Sequence, residues 1–403
     1  MTIFISIVGL GLLVFIHELG HFTASVALRM HPRKFYIGFP PALVKRTHKG
    51  IEYGIGTIPL GGFVKIPGMH RPASADVDPV FGRAIEEAPA LAGEAGRLRR
   101  SLDSGNHDAA RASLAAFATL AAEQQLSESA RAGVDKGVTD IGDALGPDAY
   151  WRARTWKRVL VIFAGPAANI IFAFVLFTGV FLSSGGPATT TVDSVRAKSV
   201  AVALGLQSGD KIVSINGTAM ASGNTISDTI AASKGKPLSV VVLRNGSEVT
   251  LGPRAATKLE GTYRLGFLLR RTGLSPPAAV QEAGRYTGLV SKAIVTSLGN
   301  LAKGEGRKDI SSPVGIVQGS SDAAKEGANS FLWVLALISL SIALLNLLPF
   351  LPLDGGHIVF AIVEGIRGRT VPRAVYERVS IVGIGLVLLL FVIGLTNDIG
   401  RLS

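Results

Sequence analysis

The chain contains no cysteine, which removes disulfide frameworks and thiol chemistry from consideration but identifies no compartment. Charge is scarce: Asp, Glu, Lys and Arg make up 17% of the 403 residues, below the roughly 25% usual for a soluble domain. That charge is also unbalanced, with 41 basic against 29 acidic residues and a net charge of +12. The basic residues form no single tract with interleaved aromatics, so nucleic acid is not an expected partner. The apolar N-terminal stretch has no basic leader and no A-x-A site, and an ionisable cluster interrupts it. These absences argue against a cleaved secretory signal.

Uncharged apolar runs are what the chain has in quantity. Hydrophobic residues reach 48% and the mean hydropathy is +0.39, values that belong to a membrane protein. Residues 3–27, 159–183, 331–348 and 379–396 are each near or above the about 20 residues that cross a bilayer. Gly165-Pro166 interrupts the second run early. Four crossings put both termini on one side. Basic residues gather after the first span (Arg29, Arg33, Lys34, Lys45, Arg46, Lys49), before the second (Arg152, Arg154, Lys157, Arg158) and between the third and fourth (Arg367, Arg369, Arg373, Arg378). Such clusters mark cytoplasmic loops. The termini are therefore expected outside, with the ionisable cluster of the first span towards the cytoplasmic face.

Between the spans the composition changes twice. Residues 82–147 are Ala-rich and charged, with apolar residues at helical spacing and a break at Gly105-Asn106, which reads as two or three soluble helices or else as a flexible linker. Residues 187–272 read as short alternating strands separated by Asn216-Gly217 and Asn245-Gly246 turns. An amphipathic helix is expected over 277–303.

The chemistry-bearing segment is His17-Glu18-Leu19-Gly20-His21. On a helix, positions i and i+4 share a face, so both imidazoles can reach one ion, and the intervening Glu18 can take a proton from a water on it. A satisfied pair of core histidines is the plain alternative, but unsatisfied ionisable groups inside an apolar helix are costly. Zinc needs a third protein ligand and an open position. Asp354 is the candidate, at membrane depth beside Gly355-Gly356, unless it merely caps a helix. Asn346 and His357 lie close to Asp354 in sequence. Each could stabilise an oxyanion or orient Asp354, or simply satisfy broken-helix backbone.

With those residues in view, the chain resembles the site-2 protease family of intramembrane zinc metalloproteases, in its bacterial form with a single PDZ domain (regulator of sigma-E protease-like). FIHELGH and NLLPFLPLDGGH match the two catalytic motifs, FAGPAAN the second-helix motif, and YGIGTIPLGGFVKIPG the membrane-reentrant β-hairpin. The resemblance covers nearly all of the chain outside 70–150. It implies that His17, His21 and Asp354 bind one Zn2+, that Glu18 is the base, and that Asn346 contacts the substrate backbone. Residues 51–66 would hold an unwound substrate extended against a strand edge at Gly61, Gly62 and Phe63; an ordinary cytoplasmic hairpin is the alternative. GLQSGDKIVSING stands where the family's PDZ signature falls, a domain that could bind peptides or only exclude bulky ectodomains.

The expected fold is thus a multi-pass α-helical membrane protein of about four transmembrane helices, with a membrane-reentrant β-hairpin, an extracytoplasmic PDZ-like β-rich domain and a helical cytoplasmic insertion. Its parts are a first transmembrane helix with HELGH (1–30), the hairpin region (31–70), the insertion (71–150), the second transmembrane helix (151–186) and the PDZ-like domain (187–272). An amphipathic helix and linker (273–330) then lead to the third and fourth transmembrane helices with LDGGH (331–403). The implied partners are the lipid bilayer and a single-pass membrane substrate, typically an anti-sigma factor already shortened by another protease. A PDZ scaffold with a vestigial metal site, or a metal transporter, is the competing reading. The intact set His17, Glu18, His21 and Asp354 opposes the first, and the lack of repeated halves the second. Nothing in the family motifs corresponds to the insertion, which is expected beside the mouth of the active site, affecting access.

Overall fold

The structure, a computed structural model, describes residues 1–259, 261–307 and 310–402. Helix α1 (Thr2–Ala27) leads into strands β1 (Lys34–His48) and β2 (Ile51–Lys65). Helices α2 (Val77–Glu87), α3 (Ala92–Asp103), α4 (His107–Ala122) and α5 (Glu128–Leu145) precede the long α6 (Thr155–Ser184). Then come β3 (Ala188–Val195), α7 (Val200–Leu204), β4 (Lys211–Ile215), β5 (Thr218–Ala219), α8 (Gly223–Ala232), β6 (Pro237–Arg244) and β7 (Ser247–Ala255). Short strands β8 (Thr257–Leu259) and β9 (Thr262–Arg264) come before β10 (Phe267–Arg271). Helices α9 (Pro276–Ala302), α10 (Pro313–Glu326), α11 (Ala328–Asn346), α12 (Asp354–Arg367) and α13 (Arg373–Leu402) close the chain. Two compact units result: residues 1–6, 172–296 and 317–338 form one, and 7–171, 297–316 and 339–403 the other.

Among the described residues, four helices, over Thr2–Ala27, Thr155–Ser184, Ala328–Asn346 and Val375–Gly400, are long and apolar enough to cross a membrane. On α13, Ile381 and Val382 are 70% and 74% exposed. A contiguous apolar surface of that kind is costly in water and suits lipid. Pro166 lies inside α6, where it removes one backbone hydrogen bond and opens the helix locally.

Residues 51–66 do not form a hairpin by themselves, which corrects the expectation. The tight hairpin joins Ala42–His48 to 51–56, from Ala42↔Gly56 to His48↔Ile51, and turns at Lys49 and Gly50, both at positive φ. Lys34–Ile37 is paired twice, to 52–55 and to 62–65, so the start of β1 lies between the two halves of β2. The alternating, aromatic-rich Lys34-Phe35-Tyr36-Ile37 supplies the partner that the glycines of β2 concealed.

The stretch expected to hold two or three helices contains four, counted from Val77. Their shared core is built on Phe81, Leu98, Leu114, Phe117 and Ile141, with the Phe81 and Phe117 rings 4.3 Å apart. The side chain of Asn106 caps α4 by accepting from the Ala109 amide, and Ser127 caps α5 through Ala130.

In the other unit, the strands form an antiparallel sheet in the order β10-β3-β4-β6-β7, with β5 beside β4. The buried side chains Leu238, Val240 and Val242 alternate along β6 and pack with Val192, Ile212 and Ile215 of its neighbours, and Leu204 and Ile226 of α7 and α8 cover them. The two helices escaped the sequence reading because α7 has five residues and α8 ten, short windows for a helical period. Asp210 is buried and takes both Nε and Nη2 of Arg244, at 2.7 Å each, and the Gln207 amide at 2.8 Å. Burial pushes its carboxyl up, but these donors outweigh that and hold it below the ordinary carboxylate range.

A depressed folded-state pKa stabilises above the unfolded value of about 3.9, and the contribution is lost as pH falls through the folded value. Protection of the 188–271 amides against hydrogen exchange is therefore expected to persist in acid until Asp210 protonates. In Arg244→Met the loss should begin at higher pH. Separately, Phe117→Ala should cost about 3–5 kcal/mol, read as faster exchange confined to 77–145.

Candidate metal centre

The ionisable side chains of helix α1 are His17, Glu18 and His21, and four-residue spacing turns both imidazoles the same way. Their rings meet edge to face, 4.8 Å between centroids. Nε2 of His17 and Nε2 of His21 are 3.2 Å apart. Asp354, more than three hundred residues later, brings Oδ2 to 3.1 Å from the first and 3.4 Å from the second. Both histidines are buried.

The proton positions follow from the neighbours. His21 Nδ1 lies 2.9 Å from the carbonyl oxygen of Val161 on α6. A carbonyl can only accept, so Nδ1 carries the proton and Nε2 presents a lone pair. That lone pair faces His17 Nε2 and a carboxylate oxygen. Three atoms able to ligate a metal therefore crowd one point, and among the described residues neither Asp354 Oδ2 nor His17 Nδ1 has a conventional hydrogen-bond partner. Such a cluster repels itself unless a cation or protons occupy its centre. Ligand bonds of about 2.0–2.2 Å in a tetrahedral zinc site place donors roughly 3.3–3.6 Å apart, close to the three separations measured. The donor set fits zinc.

Asp354 opens α12, whose N-cap is Leu353 with no side-chain cap bond, so the carboxylate is directed to the imidazoles rather than spent on capping. The positive end of α12 favours a negative charge there. A cavity of about 530 Å³ extends from the triangle. Glu18, Gly61, Gly62, Phe63, Asn346 and His357 line it, with Val14, Ile162 and Ile342 as apolar walls. The structure thus brings all the singled-out residues to one cavity. Phe63 stacks on Tyr36 at 5.1 Å and 11°, so its ring is engaged within the sheet.

Two glycines make room. A Cβ on Gly165 would overlap His21 Nε2. On Gly62 it would lie 2.7 Å from the Tyr36 carbonyl oxygen and 3.1 Å from Glu18 Cγ. The Val64 backbone faces the Glu18 carboxylate as well. The Val161 carbonyl was invisible in the sequence, because any residue supplies one; only the position of α6 selects it.

An apolar multi-helix chain with a His-His-carboxylate triangle and an adjacent glutamate is a membrane metallohydrolase. Comparison with known proteins makes the class specific: the sequence profile of Peptidase family M50 matches residues 5–390, and the chain belongs to that family, that of the site-2 proteases. It is 31% identical over 412 residues to a protein of Agrobacterium fabrum provisionally named a zinc metalloprotease, covering 98% of this chain and 94% of that one. Similarity at 29% identity extends to the zinc metalloprotease RasP of Geobacillus kaustophilus over 416 residues, 98% and 97% of the two chains. It extends equally to the regulator of sigma-W protease RasP of Bacillus subtilis over 423 residues, 100% and 99%. The chain is a zinc metalloprotease.

The two glycines should separate binding from catalysis. Gly165→Ala is expected to weaken zinc binding by about 10–100-fold, as loss of ligand orientation does, measured by competition with a chelator. Gly62→Ala should keep its zinc and lose peptide hydrolysis.

Proposed function

We propose that this chain is an intramembrane endopeptidase that hydrolyses peptide bonds within transmembrane segments of single-pass proteins. His17, His21 and Asp354 are its zinc ligands and Glu18 its general base. The observation carrying this is the placement of Glu18 in one cavity with the triangle and with the edge of 62–65. Zinc, when bound, supplies a Lewis acid that acidifies water and polarises the scissile carbonyl. Glu18 accepts a proton from the attacking water and delivers it to the amide nitrogen as the C–N bond breaks. Asn346, at the end of α11, offers an amide to the substrate backbone.

The substrate problem explains the strand. A transmembrane helix satisfies its own backbone groups, so its amides cannot be reached until it unwinds. Among the described residues 62–65 pairs only with 34–37. Its other edge, at Gly61, Gly62 and Phe63, can take an unwound segment by strand addition. Exposed strand edges are tolerated at membrane depth only where they line such a cavity, which favours a reentrant position for β1 and β2.

The basic loops support a topology with both termini outside and the cavity near the cytoplasmic face. Residues 187–272 then lie outside as a PDZ-like domain. A cavity of about 950 Å³ runs along β10 and α8, lined by Ser227, Ile230, Gly266, Phe267 and Leu269, and suits an extended peptide. The RasP of Bacillus subtilis is named a regulator of sigma-W protease. An anti-sigma factor trimmed outside the membrane is accordingly the substrate class we favour.

Glu18→Gln is expected to retain stoichiometric zinc and to lower cleavage of a reconstituted, trimmed anti-sigma factor by about 10²–10⁴-fold. Asp354→Asn should lose the metal itself. Equal cleavage by wild type and Glu18→Gln would end the assignment.

A further inference from the structure

The helical insertion grips the strand that lines the catalytic cavity. Asp140 and Asp143 project from α5, and Asp148 follows it. Arg33, immediately before β1, places Nε 2.8 Å from Asp143 Oδ1 and Nη1 2.9 Å from Asp148 Oδ2, with Nη2 3.3 Å from the second Asp148 oxygen. Lys65, the last residue of β2, places Nζ 2.6 Å from Asp140 Oδ1 and 3.7 Å from Asp143 Oδ2. Asp143 and Asp148 are only 13% and 17% exposed, so the pairs they make with Arg33 are less screened than an ordinary surface pair, whereas Asp140 is 41% exposed. Backbone bonds continue the contact: the Arg33 amide donates to Lys65 at 2.7 Å, that of Tyr150 to Pro67 at 2.9 Å, and that of Trp151 to Gly68 at 3.1 Å.

What the network holds is the exit of the strand Gly62–Lys65, whose Gly62 and Val64 approach Glu18. Strand addition rewards an edge that already holds its donors and acceptors in register, because ordering that edge on binding costs affinity. Packing alone would secure the fold of this region. Three carboxylates converging on the two cations at the feet of adjacent segments secure its register.

We propose that Asp140, Asp143 and Asp148 are positioning residues for the substrate-facing strand, and that the insertion acts on proteolysis through them. The inference rests on the reading of the cavity as the site where transmembrane segments are cut. It assigns the insertion a part in recognising helical substrates rather than in the chemical step.

The test uses the full-length chain in liposomes and the variant Asp140→Asn/Asp143→Asn/Asp148→Asn. Two probes are compared: a synthetic single-pass Leu/Ala helix with a central Gly-Asn pair and basic flanks, and unfolded casein. The variant is expected to raise KM for the helix about tenfold, with kcat within about twofold and zinc content and casein cleavage unchanged. Hydrogen exchange should quicken at 61–65 and not at 8–21. Unchanged KM for the helix, or equal loss on both probes together with loss of zinc, would overturn the proposal. If the triple variant misfolds, Asp143→Asn alone gives the same readings. Should wild type cut neither probe, the hydrolase reading falls; faster exchange at 61–65 would still support the clamp, and unchanged exchange would overturn it.

Discussion

Three electron-pair donors within 3.4 Å of one another, shielded from water, set the terms for everything around them. Two imidazole nitrogens and a carboxylate oxygen at such distances need a cation or protons among them to offset desolvation and mutual repulsion. A divalent cation turns that liability into attraction. The protein's task is to hold the donors in place before the cation arrives, and each nearby feature contributes to it. The Val161 carbonyl orients His21, Gly165 leaves space for its ring, and α12 begins at Asp354 so that the helix dipole favours the carboxylate.

The same demand accounts for the form of the surrounding helices. A regular α6 with a side chain at position 165 would press into the His21 ring, so the helix is thinned beside the metal centre and interrupted by Pro166. The loop Leu348–Leu353 doubles back so closely that a Cβ on Gly356 would lie 2.5 Å from the Leu351 amide nitrogen. Backbone is crowded together there to aim one aspartate. Farther along α12, Glu364 bonds the Arg158 guanidinium at 2.5 Å and the Val371 amide at 2.8 Å. This buried pair joins the aspartate-bearing helix to α6, the helix that orients His21. Removing either partner would strand a charge in an apolar setting, so the two elements that shape the metal centre are tied at a second point.

Residues whose role depends on spacing or chemistry could be read before folding. His17 and His21 announce a shared helical face, Glu18 lies between them, and Asp354 stands out as a carboxylate inside an apolar stretch. The apolar runs likewise need only length and composition to suggest helices that cross a bilayer. Partners defined by position were not legible. Lys34–Ile37 sits between two halves of a strand that follows it in sequence, a pairing that no local pattern encodes. Gly105-Asn106 marks one break between the insertion's helices, but those at 88–91 and 123–127 contain no glycine, so four helices read as two or three. Short helices α7 and α8 owe their helicity to the sheet they cover, a tertiary effect that overrides weak local preference.

A protease acting on a helix in lipid must supply what unwinding removes. Each residue that leaves the helical ladder exposes an amide and a carbonyl, and each costs several kcal/mol in hydrocarbon if left unpaired (~2–7 depending on the reference state). On the proposed reading the outer edge at 61–64 repays part of that cost one residue at a time, while it keeps its place relative to Glu18. A strand free to slip by one residue would lose pairs with the unwound segment and turn its side chains to the other face. Rigidity of the edge is therefore what lets it hold an unwound helix. It cannot come from the substrate, which arrives without extended structure, nor from lipid, which offers no hydrogen bonds. It has to come from the wet side of the protein, where Arg33 and Lys65 meet the carboxylates of α5 and Asp148. Ionic contacts suited to water thereby discipline a strand whose work is done away from it.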